Sequence, residues 1–142
     1  MITAERSPGR VHGMTANSFT SVSLDPLLIL ICVSRNAQLL PMVQRQKRFG
    51  VNILKDHQRA LSEYFARTEE SEEIEKRLGI RYRWTESGIP LLEDALVQLA
   101  CNVVGSHVAG DHTIFIAEPE SVEIYEGEPL LYLRGNYRYL AR

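Results

Sequence analysis

Residues 96–117 read LVQLACNVVGSHVAGDHTIFIA, two apolar stretches on either side of a small, polar turn. Leu96–Val108 has the length and β-branched content of one long strand. Ala109-Gly110-Asp111 turns the chain, and His112–Ala117 leads it back. Toward the C-terminus, Val122–Tyr125, Leu130–Leu133 and Tyr137–Leu140 read as short strands separated by turns at Glu126-Gly127 and Gly135-Asn136. Toward the N-terminus, Tyr82–Thr85 precedes a Ser87-Gly88-Ile89-Pro90 turn, and Phe49–Leu54 is a further strand. Leu27–Val33 is apolar without alternation, as expected of a central strand covered on both faces. Ile2–Ala4 ends a strand before the turn at Ser7-Pro8-Gly9.

Helices interrupt this pattern. Ala37–Arg48 accepts Pro41 only in its first turn. Asp56 is a suitable N-cap for a helix running to about Arg67, where Leu61, Tyr64 and Phe65 form an apolar stripe. The acidic stretch Glu69–Glu75 reads as a solvated helix face, stopped at Gly79. Many strands with a few inserted helices, lacking regular strand–helix alternation, predict a mainly β fold: a closed barrel with helical excursions.

The 142 residues suit one domain over 1–142, and 44% hydrophobic with 24% charged residues is an ordinary globular balance. The net charge of -2 offers no basic surface for nucleic acid or anionic lipid. Cys32 and Cys101 sit inside apolar runs and read as buried thiols; no CxxC is present, and nothing points to an oxidising compartment. The longest apolar run, Leu27–Val33, suits a buried strand rather than a bilayer span. The opening MITAERSPGR lacks the apolar core of a signal peptide, so a cytoplasmic location is expected.

The sequence holds no GxGxxG opening a helix, no GxxxxGK[ST] and no GxSxG elbow. Its four histidines, His12, His57, His107 and His112, have no metal-ligand spacing, so no metal is expected. Positive signals are two. Gly13-Met14-Thr15-Ala16-Asn17-Ser18-Phe19-Thr20-Ser21 has too many hydroxyls for a core strand. It offers donors, acceptors and exposed amides at a barrel edge, a surface suited to a planar heterocycle with a phosphate tail. A solvated turn would use the same residues. The second signal, Gly110-Asp111-His112, is by spacing alone a hairpin turn in which Asp111 bonds its own backbone.

Taken in order, these segments resemble the short-chain flavin reductase family, the reductase partners of two-component flavin monooxygenases. Gly13–Ser21 with Ser23-Leu24-Asp25-Pro26 is similar to the family's GMTANSFTSVSLDPP stretch. Leu28–Val33, with Cys32, resembles its next strand, and Phe49–Leu54 its FxVNVL strand. Phe65-Ala66, Gly88-Ile89-Pro90-Leu91 and Leu99-Ala100-Cys101 follow in the family's order. Gly110-Asp111-His112 matches its GDH motif, and Pro129-Leu130-Leu131-Tyr132 with Gly135 and Tyr137 its C-terminal end.

The resemblance implies an FMN-binding split β-barrel, usually a homodimer, that reduces FMN (FAD is the alternative) with NADH or NADPH and supplies it to a flavin-dependent monooxygenase. Thr15, Ala16, Asn17 and Ser18 would line the flavin ring. Ser21 with Cys32, Val33, Ser34, Arg35, Asn36 and Gln38 would hold the ribityl chain and phosphate. Gly110, Asp111 and His112 would meet the nicotinamide dinucleotide. No side chain needs to act as acid, base or nucleophile, because hydride passes between cofactors stacked at about 3–3.5 Å. The chain departs from the family in three places. It begins near a position that a helix and a full first strand precede there. Ala37 and Leu39 stand where the family commonly has Ser and Thr, and Leu27 where it has a second proline. The first two departures leave a flavin-binding split barrel without efficient reduction as the alternative function.

Overall fold

The computed structural model describes residues 1–141. Eleven strands and three α-helices are found among them. β1 (Ile2–Ser7) and β2 (Arg10–Met14) form a hairpin around Gly9, which takes φ +76°. β3 (Phe19–Leu24) and β4 (Leu27–Ser34) form a second hairpin. α1 (Leu39–Gln46) leads into β5 (Arg48–Ile53). A 3-10 turn at Asp56–Gln58 opens α2 (Arg59–Phe65), and α3 (Glu72–Arg77) follows. The short pair β6 (Tyr82–Trp84) and β7 (Pro90–Leu92) precedes β8 (Val97–Ala109) and β9 (His112–Ile124). β10 (Leu131–Leu133) and β11 (Asn136–Arg138) form an antiparallel hairpin at the C-terminal end.

The main sheet runs β2-β1-β5-β8-β9-β4-β3, and its neighbouring strands are antiparallel. The hydroxyl-rich segment runs from the end of β2 through the loop 15–18 into the start of β3, an edge strand whose residues are nearly all exposed. Thr20 and Ser21 are exposed there, as suits an edge facing water. The sheet is not closed, because β2 and β3 stay unpaired edges; the expectation of a closed barrel is corrected to a split one. Val122–Tyr125 is not a separate strand either. β9 continues through it, with the ladder shifting register at Cys101–Pro119 and leaving Glu120 as an extra residue. A bulge of this kind tolerates the N–H that Pro119 lacks.

Two helix boundaries also differ. α1 is shorter than Ala37–Arg48, because Ala37 already bonds back to Ser34 in a turn and Lys47 takes φ +57° at the other end. Asp56 is inside the 3-10 turn rather than capping a helix; the Lys55 N–H donates to Gln58 Oε1 at 2.8 Å instead. Gly79 does stop α3, at φ +68° with Ile80 N–H returning to Glu75 O.

The main core gathers Ile29, Ile31 and Val33 of β4, Phe49 and Val51 of β5, Phe115 of β9 and the inner face of α1. Cys101 is buried in it, and burial pushes its thiol up to about 12. Cys32 is half-buried, and both thiols are free. A second cluster packs Tyr64 and Phe65 of α2 against Met1, Leu54 and Leu92. Buried polar groups tie the small hairpin to the sheet. Thr3 Oγ1 donates to Pro90 O at 2.5 Å, Leu92 N–H donates to Asn52 Oδ1 at 2.7 Å, and Gln98 Nε2 donates to Leu92 O at 2.5 Å. Each satisfies a group whose burial alone would cost stability. Among the described residues no helix is long and apolar enough to cross a membrane.

Candidate functional site

A cavity of about 480 Å³ opens where β2 gives way to β3, between the end of β5, the end of α2 and the β10–β11 hairpin. Thr15, Ala16 and Asn17 form one wall, Ile53 and Leu54 the floor, and Ala66, Tyr132 and Tyr137 the opposite side. Its size lies in the range of cavities that hold drug-sized ligands. Two larger or comparable surface grooves lie elsewhere, around Arg77 and Arg81, and hold none of the residues expected from the sequence to meet flavin or nicotinamide.

The 15–18 loop is fixed by its hydroxyls. Thr15 Oγ1 donates to Ser62 O at 2.6 Å and Thr15 N–H to Phe65 O at 3.0 Å. Ser18 Oγ donates to Cys32 O at 2.8 Å, and Cys32 N–H donates to Ser18 O at 3.2 Å. The hydroxyl protons of Thr15 and Ser18 are thereby committed to the fold. The N–H groups of Ala16, Asn17 and Ser18 are different: among the described residues none has a backbone or side-chain acceptor, and neither does the Asn17 side-chain amide. Three consecutive unpartnered amides beside an apolar cavity suit the electron-rich edge of a flat heterocycle. That is the test an isoalloxazine ring has to pass here, and the wall passes it.

The remaining sequence-derived residues gather at a second station. Ser34 pairs with His112 across the β4–β9 ladder, and Arg35 N–H donates to Asp111 O at 2.9 Å. Gly110 takes the turn at φ +61°. Asp111 Oδ1 and His112 Nδ1 are 2.8 Å apart, and that bond holds the Asp111 carboxyl below its ordinary range. The stretch expected to hold a phosphate and the turn expected to meet nicotinamide are therefore neighbours. Ser34 Oγ accepts from Asn36 N–H at 3.3 Å, while Arg35 and Asn36 are exposed.

Three sequence-derived residues are placed less favourably. Val33 is fully buried, so only its backbone can face a ligand. Ser21 is on exposed β3, opposite Ile29 and outside the cavity wall. Gln38 is held at both ends of its amide, accepting from Arg6 Nη2 at 2.8 Å and donating to Thr68 O at 3.1 Å.

Sequence reasoning gave no role to Asn52, Ser62, Ala66, Tyr132 or Tyr137, which complete the cavity. Tyr137 Oη donates to Ser62 Oγ at 2.8 Å, its ring packs edge-on against Tyr132 at 5.1 Å, and the Arg59 guanidinium lies over it at 5.1 Å. Ser62 is thus grasped by the 15–18 loop on one side and the C-terminal hairpin on the other. The signal was present in Phe65-Ala66, Tyr132 and Tyr137 as motif residues, but their meeting needs the tertiary fold.

Comparison with known proteins matches residues 1–141 to the family described as flavin reductase like domain. An NADH-dependent flavin reductase from Rhodococcus sp. is 43% identical over 130 residues, covering 92% of this chain and 70% of that one. The solved styrene monooxygenase flavin reductase (SMOB) from Pseudomonas putida S12 superposes with a TM-score of 0.86 at 30% identity, covering 99% of this chain and 88% of that one. The Streptomyces globisporus C-1027 NADH:FAD oxidoreductase SgcE6, solved in complex with NAD and FAD fragments, gives 0.87 at 32% identity, covering 99% and 82%.

Proposed function

This chain belongs to the flavin reductase like domain family, and from that premise we propose that the 480 Å³ cavity receives the flavin ring in an enzyme reducing FMN or FAD with a nicotinamide dinucleotide. The observation that carries the assignment is the row of unpartnered amides at Ala16, Asn17 and Ser18. When bound, the flavin supplies the hydride-accepting ring and the reduced nicotinamide the hydride. This chain's residues bind and orient. The three amides and Asn17 stabilise negative charge at one edge of the ring, and the committed hydroxyls of Thr15 and Ser18 keep those amides aimed. Ala66, with only a methyl group, would leave the cavity open to a flat ring. Ser18 is bonded directly to Cys32, and Ser34 is two residues further along β4, about 7 Å away. That path suits a ribityl chain ending in a phosphate near Ser34 and Arg35. His112 and Asp111, beside it, orient the dinucleotide.

Adding NADH and FMN to the purified protein tests this reading. Loss of nicotinamide absorbance in proportion to FMN turnover is expected, and a protein that binds FMN without oxidising NADH would instead be a flavin-holding module. His112→Ala is expected to raise the KM for NADH about tenfold with a smaller change in kcat, since a hydrogen bond to the co-substrate is lost. Unchanged KM and kcat would remove His112 from the site.

Relatives named as monooxygenase reductases support an oxygenase that consumes the reduced flavin. The finer reading is a homodimer. Leu24 is 87% exposed, and Phe19, Val22 and Leu27 add apolar surface along the β3–β4 edge. An unpaired edge bearing such a patch suits burial against a second copy. Leu24→Glu is expected to convert a dimer to a monomer in analytical ultracentrifugation; a wild-type monomer at micromolar concentration would contradict the reading. Two unbridged cysteines accord with a reducing compartment, and so with the cytoplasm.

A further inference from the structure

Arg6 lies where the β1–β2 register shifts, between Glu5 opposite Val11 and Ser7 opposite Arg10. As the extra residue of a bulge, it is turned out of the ladder. Its Nη2 lies 2.8 Å from Gln38 Oε1, 2.9 Å from Glu70 Oε1 and 2.9 Å from His12 Nδ1. His12 Nδ1 is also 2.5 Å from Glu70 Oε1. Nη2 has two hydrogens for three neighbours, so only one arrangement satisfies all of them. His12 donates its Nδ1–H to Glu70, Arg6 donates one hydrogen to Glu70 and one to Gln38, and Gln38 donates to Thr68 O. In this arrangement Glu70 and His12 aim the guanidinium at Gln38.

The rest of the guanidinium is uncommitted. Nη1 has no acceptor among the described residues, and Nε is buried without one. The side chain is 36% exposed, and Nη1, unlike Nε, is not among its buried atoms, so Nη1 is accessible to a ligand. Gln38 ends the stretch read above as the phosphate end of the flavin site. That stretch needs donors, since Ala37 and Leu39 bring no hydroxyls and Gln38 is occupied.

We propose that Arg6 is a further ligand of the flavin phosphate, brought to the Cys32–Gln38 stretch from β1 and positioned there by Glu70 and His12. The inference rests on the reading of that stretch as the phosphate end. The chemistry recognised is a phosphate on the flavin's ribityl chain, which either the monoester of FMN or the pyrophosphate of FAD can present to a planar cation.

Dissociation constants for FMN, FAD and riboflavin, measured by flavin fluorescence on wild type, Arg6→Gln and Arg6→Lys, test it. Arg6→Gln is expected to weaken FMN about tenfold and riboflavin less than about twofold, since only the phosphate contact is removed. Arg6→Lys keeps the charge without the fork, and is expected to lose about threefold for FMN. It serves as the test should Arg6→Gln fail to fold. Parallel weakening of FAD identifies its pyrophosphate as a second partner; weakening of FMN alone restricts the contact to the monoester. Equal weakening of FMN and riboflavin would make Arg6 a structural residue and overturn the proposal. So would an unchanged preference for FMN over riboflavin. A wild type with no such preference would instead remove the phosphate end altogether, and the proposal with it.

Discussion

Replacing Ala66 with tryptophan is expected to weaken FMN binding by at least about a hundredfold, roughly 2.7 kcal/mol, and to abolish flavin-dependent NADH oxidation. Ala66 is exposed at the C-cap of α2, where its N–H bonds Ser62 O at 3.1 Å and its side chain packs into no core cluster. It lines the ring cavity beside Tyr132 and Tyr137, and also the smaller cavity on the far side of these rings. An indole at this position fills the space the ring needs. The helix end tolerates it, so the melting temperature without flavin should move by no more than a few degrees. Calorimetric titration with FMN, paired with a thermal melt, checks both halves. Undiminished affinity would place the flavin elsewhere on the protein.

Gly50→Ala is the largest expected effect on stability, a loss of about 3 kcal/mol and a fall in Tm on the order of 10 °C. Gly50 lies on β5 between Thr3 of β1 and Ala100 of β8. A Cβ there would sit 2.5 Å from the Pro90 carbonyl oxygen and hard against Thr3 Oγ1. Backbone stands on one side and a fully buried threonine on the other, so neither yields cheaply. The Thr3–Pro90 hydrogen bond would be lost as β7 moved away. Because β5 ends at Ile53 in the cavity floor, flavin affinity should fall as well. Chemical denaturation of the apo protein measures the difference, and a loss below about 1 kcal/mol would show that β7 packs loosely.

The long hairpin at the centre of the sheet was legible because it obeys local rules: apolar residues of strand type, then Gly110 and Asp111 at the turn. The path of β9 beyond Ala117 was not. Pro119 is a strand breaker in sequence, and only the partner ladder of β8 shows that the bulge at Glu120 accommodates it. Asn52 and Gln98 could not be recognised as core residues either. Their burial depends on accepting from or donating to the backbone of β7, about forty residues from Asn52 in sequence.

The site divides in the same way. Thr15–Ser18 were legible as a candidate binding edge by type, but not which of their groups the fold itself would use. The hydroxyls, prominent in sequence, are spent on Ser62 and Cys32; the amides, which every residue carries, are left free. Ala66, Tyr132 and Tyr137 were hidden for another reason, since a cavity wall drawn from α2 and a C-terminal hairpin has no spacing to read. In sequence Arg6 is one charge beside the turn at Ser7-Pro8-Gly9, and only the β1–β2 bulge directs it at Gln38.

A crystal structure of the protein with FMN bound is the most direct measurement. The ring should lie in the cavity between Ala16 and Ala66, with one edge in hydrogen-bonding reach of the amides of residues 16–18 and one face left uncovered by protein. An isoalloxazine bound outside that cavity, or covered by protein on both faces, would contradict the account.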